Sequence, residues 1–223
     1  MRIINKDELK IDKKLGMELK KRVFIYPTDT IYGIGCDATN AKLVGKIRAI
    51  KQSQDQPFSV IIPNKNMIFQ YCRTDEKTND WVKKLPGPYT LIFNVKKKFV
   101  ADNVNPKGNT IGIRIPNHWF YDCIKKMKVP IVTTSANISG QDFMTSLEDL
   151  DEDIKRQVDF VIYDGPIKGR PSNIVHLEKE VVEIKDRSKP SVKEKIRNIK
   201  RIIKERRPRP VKALRKLRSK IKI

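Results

Sequence analysis

The 223-residue sequence contains only two histidines, His118 and His176, and three cysteines, Cys36, Cys72 and Cys123. A metal site built from three histidines is therefore impossible, and a Ser-His-Asp triad would need one of these two. No Gly-x-Ser-x-Gly motif is present, which argues against an α/β-hydrolase. The cysteines form no Cys-x-x-Cys pair, so neither a zinc ribbon nor a disulfide framework is expected. A reducing cytoplasm is the simplest location.

Long apolar runs are also missing. No stretch of about 18 apolar residues occurs, so the sequence predicts no membrane span. The N-terminal stretch MRIINKDELKIDKK has no apolar segment of the signal-peptide kind. A Gly-x4-Gly-Lys-Ser/Thr loop, the mark of a P-loop nucleotide binder, is absent. The sequence GIGCDA resembles half of a dinucleotide fingerprint, but the third glycine is missing.

Positive charge is present in excess and is unevenly spread. The net charge is +22, and residues 188–223 alone hold sixteen Lys and Arg against two acidic residues. The sequence therefore predicts a moderately basic globular domain, residues 1–187, followed by a strongly basic tail, residues 188–223. Isoleucines at helical spacing between bases predict an amphipathic helix from Lys193, and Pro208 and Pro210 end it before a second short helical pattern.

Strands and helices alternate irregularly along residues 1–187. Helical spacing predicts helices at 41–52, 75–87, 118–128 and 146–158, the last with Ser146 as its N-cap. Short apolar and β-branched runs predict strands at 23–26, 57–64, 89–97, 110–116, 129–132, 159–165, 172–177 and 180–186. Gly33 and Gly35 are predicted to form a turn after the first strand. These elements predict an α/β fold with a mixed sheet that is more open than a barrel.

Small hydroxyl side chains gather at the predicted strand ends. They include Thr28 and Thr30 on either side of Asp29, and the run Thr133, Thr134 and Ser135 in the stretch VPIVTTSANISG. Ligands of open α/β sheets bind beside strand ends, where hydroxyls and backbone N–H groups suit anionic oxygens.

Further hydroxyl and basic side chains lie on two other predicted strands. Thr110 and Arg114 lie four residues apart on one predicted strand and should face the same side, while Ser172 follows a Gly-Arg-Pro turn. An arginine there adds bidentate binding of a carboxylate or phosphate. The residues alone leave a second interpretation open, in which the hydroxyls cap turns and Arg114 makes a structural salt bridge.

Five motifs in a fixed order carry a family resemblance. They are YPTDTIYGIGCDA, LPGPYTLIF, GIRIPNH, PIVTTSANISG and GRPSNIVHL. Together they resemble the YrdC family of threonylcarbamoyl-adenylate synthases over roughly residues 15–187, in its short form without the extra C-terminal domain. The resemblance implies a twisted open sheet with flanking helices around a basic cavity.

The resemblance also implies a reaction and a set of contacts. L-threonine, bicarbonate and ATP with Mg²⁺ would give threonylcarbamoyl-adenylate and pyrophosphate, and a partner transferase complex would then modify tRNA. The implied threonine site consists of Thr28, Arg114, Thr133 and Ser172. The implied nucleotide site consists of Lys51, Thr110, Ser135, Asn137 and Arg187, with Asn137 ordering the turn after Ser135. No residue is expected to act as a covalent nucleophile, an acid–base group or a metal ligand.

One stretch departs from the family pattern. The family has Lys-x-Arg after the first helix, whereas this sequence has Lys51-Gln52-Ser53 and a loop one residue shorter. A base for the ATP phosphates is therefore missing, and Lys46, Arg48 or the tail is expected to replace it.

Two further hypotheses stay open on the sequence alone. The first is a non-catalytic or altered-activity RNA-binding protein, in which the basic cavity and tail hold phosphate backbone. The second is a related carbamoyl or acyl transferase that acts on another amine.

Overall fold

A ten-stranded mixed sheet forms the centre of the described part of the chain, residues 1–53 and 55–187 of a computed structural model. The strands in chain order are β1 (Arg2–Ile4), β2 (Phe24–Tyr26), β3 (Gly33–Gly35), β4 (Ser59–Ile61), β5 (Tyr89–Asn94), β6 (Thr110–Arg114), β7 (Ile131–Ser135), β8 (Phe160–Ile162), β9 (Asn173–His176) and β10 (Glu183–Lys185). Their spatial order is β1-β8-β2-β3-β7-β4-β6-β5-β9-β10, with both parallel and antiparallel pairs. The predicted open mixed sheet is confirmed.

Short helices flank this sheet. They are α1 (Lys6–Ile11), α2 (Lys13–Leu19), α3 (Ala41–Lys51), α4 (Asn66–Tyr71), α5 (Glu76–Lys83), α6 (Phe120–Met127) and α7 (Glu152–Gln157). Asn40 caps α3 by accepting hydrogen bonds from the backbone N–H groups of Lys42 and Leu43, as expected of an N-cap amide. The helix then ends at Lys51, which brings this lysine to the side of the sheet where the hydroxyl-rich segment lies.

Alternation along the strands divides the core between the two faces of the sheet. In β2, Phe24 and Tyr26 pack with Phe120 of α6, and the Tyr26 and Phe120 ring centroids are 5.2 Å apart. Val23 and Ile25 point to the other face and join the larger apolar cluster. Successive strand residues face opposite sides, so both faces of β2 are buried and the strand is a central one.

The Gly-x-Gly segment is a strand, and the predicted turn is wrong. Gly33, Ile34 and Gly35 form β3, which pairs antiparallel with β2 and β7. The glycines are needed for close approach: a Cβ on Gly35 would lie 2.5 Å from the Val132 carbonyl oxygen and 2.8 Å from the Tyr26 ring. Glycine as a sign of close backbone approach within a strand was the signal that the turn prediction missed.

The single helix predicted at 146–158 is also wrong. Residues Leu147–Asp149 form one 3-10 turn, and α7 begins only at Glu152. The Asp151 side chain accepts hydrogen bonds from the backbone N–H groups of Asp153 and Ile154. Asp151 is therefore a second N-cap, and a separate helix begins after it. Four short elements, β1, α1, α2 and α4, were missed altogether because each has seven residues or fewer.

The predicted basic tail lies outside the described residues, and its two helical patterns remain predictions. Within residues 1–53 and 55–187, no helix combines the length and apolarity needed to cross a bilayer.

Gly35→Ala should destabilise the fold strongly. The new methyl group would press on the Val132 carbonyl, a backbone atom that cannot turn away. Overpacking of this kind costs about 1–3 kcal/mol, which urea unfolding can measure. The matched control is Gly16→Ala in α2, where a Cβ meets no atom within 4 Å; it should be neutral or slightly stabilising, because alanine is the better helix former. Equal stability of the two variants would contradict the close approach.

Candidate functional site

A cavity of about 530 Å³ opens beside the ends of β6 and β7. Eight of the nine predicted site residues line it: Thr28, Lys51, Arg114, Thr133, Ser135, Asn137, Ser172 and Arg187. They come from strands and loops far apart in the sequence, so the fold alone brings them together. The contacts that each of them makes decide which groups are left to bind a ligand.

Arg114 is the buried cation at the end of β6. Its Nη2 donates to Asp29 Oδ1 at 2.5 Å and to Thr30 Oγ1 at 2.6 Å, and only 5% of the residue is exposed. Asp29 Oδ2 in turn accepts from the backbone N–H of Asn117 at 3.1 Å. The Arg114 Nε is buried and has no hydrogen-bond partner. A buried guanidinium N–H without an acceptor is costly, so this side of Arg114 is suited to a ligand oxygen.

The Thr28 hydroxyl is engaged within its own turn. Thr28 Oγ1 lies 2.7 Å from the Ile31 carbonyl and 3.0 Å from Thr30 Oγ1, and it accepts from the backbone N–H groups of Thr30 and Ile31. The residue is almost fully buried. Thr28 therefore shapes the loop that carries Asp29, and any contact with a ligand comes in addition to that role.

Lys51 ties the end of α3 to the hydroxyl-rich segment after β7. Its Nζ donates to the carbonyl oxygens of Ser135 and Asn137, both at 2.7 Å, and to Asn137 Oδ1 at 3.3 Å. Asn137 also bonds the Ser135 hydroxyl through Oδ1, and its Nδ2 donates to the Gln141 carbonyl. The expectation that Asn137 orders this turn agrees with these contacts. Burial lowers the pKa of the Lys51 ammonium to about 8.

Another part of the cavity lining comes from β5, β9 and the segment around Arg187. The hydroxyls of Thr90 and Ser172 are 2.7 Å apart, and both are buried. Asn173 Oδ1 accepts from the Arg187 backbone N–H at 2.7 Å. These bonds fix Ser172 and Arg187 against the sheet.

Thr110 does not belong to this cavity. It begins β6 whereas Arg114 ends it, and four residues of strand span about 13 Å. Thr110 lines a second cleft instead. The predicted nucleotide contact is therefore not supported by its position: residues four apart share a face of the sheet but not an end of the strand.

The expected substitutes for the missing arginine are also engaged elsewhere. Ser53 is buried, lies outside the cavity lining and has an Oγ without a partner. The Arg48 guanidinium donates to four backbone carbonyls, among them Asn103 at 2.7 Å. Lys46 pairs with Asp159 at 3.2 Å. Neither base lines the cavity, and the tail lies outside the described residues.

Sequence reasoning missed several residues of the cavity and its supports. Asp29 was noted only as a neighbour of the threonines, yet it holds Arg114. Thr90 and Lys185 also line the cavity, and Thr90 stands out only once β5 is paired in register with β9. Gly169 packs so close to Thr30 that a Cβ would sit 1.7 Å from its carbonyl oxygen. Only the motif glycine before Arg170-Pro171-Ser172 hinted at that contact.

The cavity is positively charged. Lys51, Arg114, Lys185 and Arg187 line it, and no aspartate or glutamate is among the described residues of the lining. Among the described residues there is also no group of three or more His, Cys, Asp or Glu side chains that could hold a metal ion. The site therefore offers cations, hydroxyls and backbone groups to an anionic ligand, and it offers a metal ion no carboxylate of its own.

Comparison with known proteins identifies the family. Residues 19–188 match the model of Sua5/YciO/YrdC proteins, which carries the description "Telomere recombination". The chain is 36% identical over 168 residues to a putative threonylcarbamoyl-AMP synthase of Methanocaldococcus jannaschii, covering 74% of this chain and 78% of that protein. It is 30% identical over 164 residues to the threonylcarbamoyl-AMP synthase of Bos taurus, of which it spans only 59%. The chain therefore belongs to the Sua5/YciO/YrdC family.

Solved structures agree with this assignment. A variant of Sua5 from P. abyssi matches with a TM-score of 0.74 and 25% identity, over 82% of this chain and 56% of that one. E. coli YciO matches with a TM-score of 0.73 over 86% of this chain and 97% of its own, and at 22% identity it supports the fold alone. The chain thus spans little more than half of the Sua5 chain and nearly all of YciO.

Lys51→Met should destabilise the protein by about 2 kcal/mol, because the partly buried carbonyls of Ser135 and Asn137 lose their charged donor. Lys46→Met removes a partly exposed ion pair and is the matched control, with an expected cost below about 1 kcal/mol. Urea unfolding at pH 7.5 measures both. Similar values for the two variants would show that the Lys51 contacts contribute little.

The pH dependence of stability gives a second test of Lys51. Its pKa of about 8 in the fold lies below the ordinary lysine value of 10.5. Between these values the unfolded chain binds more protons than the folded one, so this residue makes stability rise with pH by up to about 1.4 kcal/mol per unit. We expect that rise in the wild type relative to Lys51→Met between pH 8 and 9.5. Parallel profiles would mean that the ammonium is not desolvated.

Proposed function

We propose that the chain is an L-threonylcarbamoyladenylate synthase. The observation that carries the proposal is a cavity lined by hydroxyls and cations, one of which, Arg114, has a buried Nε without a hydrogen-bond partner. An amino-acid carboxylate supplies the missing acceptor, while the remaining cations suit phosphates. Relatives bearing the name threonylcarbamoyl-AMP synthase support the assignment, and so does a Sua5 structure described as complexed with L-threonine.

The chemistry needs positioning more than a protein nucleophile. The amine of threonine attacks bicarbonate, with loss of water, to form a carbamate. A carbamate oxygen then attacks the α-phosphate of ATP, and pyrophosphate leaves. Holding the two anionic substrates side by side supplies up to about 7–11 kcal/mol of the barrier through proximity. The cations of the cavity stabilise the charge that builds up on the phosphates.

ATP enters this proposal as its Mg²⁺ complex. The cavity lining has no carboxylate, so the ion is carried by the nucleotide phosphates and water. Among the cations of the lining, Lys51 and Arg114 already have partners within the protein. Within residues 1–53 and 55–187, the Lys185 side chain has no hydrogen-bond or ion-pair partner. We assign to Lys185 the phosphate contact that Ser53 cannot provide.

Arg114→Ala should raise the threonine KM far more than the ATP KM. Loss of a charge-assisted contact to a carboxylate costs roughly 2–3 kcal/mol, or about 30-fold to 150-fold. Initial rates of pyrophosphate release measure both constants. Arg22→Ala, which removes a surface arginine near Asp159, is the control and should change neither. Equal effects on the two substrates would reject the threonine assignment.

Lys185→Ala should show the opposite selectivity. We expect the ATP KM to rise roughly threefold to tenfold with the threonine KM unchanged, the range for a charge contact that stays partly solvated. Lys125→Ala, on a surface helix and paired with Asp122, is the control. An unchanged ATP KM would remove Lys185 from the phosphate site.

ATP–pyrophosphate exchange that depends on both threonine and bicarbonate tests the function itself. A non-catalytic RNA-binding protein would show no exchange, and a related transferase would need another amine. The buried Ser53 in place of an arginine is the observation that favours altered activity. Transfer of the product to tRNA by a partner complex, and a cytoplasmic location, are part of the same proposal; the free thiols of Cys36, Cys72 and Cys123 are in keeping with a reducing compartment.

A further inference from the structure

A second cleft, of about 270 Å³, lies at the opposite end of β5 and β6 from Arg114. Thr110, which sequence reasoning had placed with the nucleotide, is part of it. The side chains that give the cleft its chemistry are Arg73, Lys96, Lys98, Phe99, Asn105 and Thr110. We call it the β5–β6 cleft.

The charge of this cleft is only partly neutralised. Lys98 pairs with Asp102, the one acidic residue of the lining. The side chains of Arg73 and Lys96 are exposed, and among the described residues they have no hydrogen-bond or ion-pair partner. Exposed Lys97 lies between the two lysines. An excess of positive charge in a concave surface attracts anions.

The groups of the cleft are held in place. The Tyr71 carbonyl accepts from the backbone N–H groups of both Lys96 and Lys97, at 2.7 and 3.0 Å, which fixes the turn that carries the lysines. Asn105 Nδ2 donates to the Thr110 carbonyl at 2.9 Å and to Thr110 Oγ1 at 3.4 Å. Because the Thr110 oxygen accepts that bond, its hydroxyl hydrogen is left to donate to a ligand.

An aromatic wall completes the cleft. The Phe99 ring stacks on Tyr71 with the centroids 4.8 Å apart, which braces it beside the lysines. Braced aromatic rings next to cations are the platform on which single-stranded nucleic acids stack their bases. A peptide of acidic residues alone would use the cations but has no flat ring to place against Phe99.

We propose that the β5–β6 cleft binds single-stranded RNA, with Arg73 and Lys96 on its phosphates and a base against Phe99. This goes beyond the proposed synthase activity and does not depend on it. The site is separate from the substrate cavity, since none of the residues lining one lines the other. RNA held here would be bound while the cavity stays open to its small substrates.

The test compares two charge-matched variants of the full chain. Arg73→Glu/Lys96→Glu removes the proposed contacts, whereas Lys14→Glu/Lys21→Glu makes the same change of charge in and just after α2, which packs on the other face of the sheet. Binding of a labelled 12-nucleotide single-stranded RNA is measured by fluorescence anisotropy between 50 and 300 mM salt. Thermal midpoints confirm folding, and Arg73→Gln/Lys96→Gln replaces the first variant if it does not fold.

We expect the cleft variant to weaken RNA binding about tenfold and to reduce the slope of log K against log salt by about 1.4, the value for two phosphates of a single strand. The α2 variant should stay within about twofold of the wild type. Equal losses in both variants, or no loss in the cleft variant, would overturn the proposal. Two further arms use labelled AMP and a labelled poly-glutamate peptide. If either one depends on Arg73 and Lys96 while RNA does not, the cleft is not an RNA site.

Discussion

The candidate site depends on the contact of Arg114 with Asp29 and Thr30. A buried guanidinium is tolerated only when it is paired and hydrogen-bonded. Here the pair joins the end of β6 to the loop after β2, two places that are not neighbours in the sheet. Because Nη2 is committed to this contact, the orientation of the guanidinium is fixed and Nε remains as the buried donor without an acceptor. The contact of Arg114 with Asp29 and Thr30 thus fixes one wall of the cavity and leaves the Arg114 Nε without a partner.

The hydroxyl-rich stretch from Thr133 to Gly140 has a similar double role. Much of it is structural: its carbonyls and Asn137 surround the Lys51 ammonium, as the Thr28 hydroxyl serves its own turn. The sequence alone posed a choice between turn-forming hydroxyls with a structural salt bridge and a binding site for anions. The structure shows the turn-forming hydroxyls and the ion pair of Arg114, and the same groups line a cavity with several cations, which is where we propose that anions bind. Rigid turns of this kind hold a site in place before the ligand arrives.

The parts of the fold that sequence could predict are those with a strong local pattern. The strands around Val60, Leu91 and Ile113 are buried, β-branched runs, and α3 has regular helical spacing. The failures have two causes. Gly35 is a strand residue because the distant β7 backbone approaches it, and the glycine only hints at that approach. The break before α7 is local, because it depends on the cap at Asp151.

The prediction of the site residues also depended on contacts between distant parts of the chain. Eight of nine were placed at one cavity because motif resemblance contains tertiary information that spacing lacks. The resemblance also implied a nucleotide contact for Thr110, which lies at the other end of β6 and lines the second cleft. Asp29 and Lys185 were missed because their roles come from contacts with Arg114 and from a position at the cavity wall.

A crystal structure of the protein with L-threonine is the most direct test of the central claim. We predict a carboxylate oxygen within about 3 Å of Arg114 Nε, with the bond from Arg114 to Asp29 retained and the amine directed into the remaining cavity. Threonine bound away from Arg114, or an Arg114 that has turned away from Asp29 to reach it, would contradict the account.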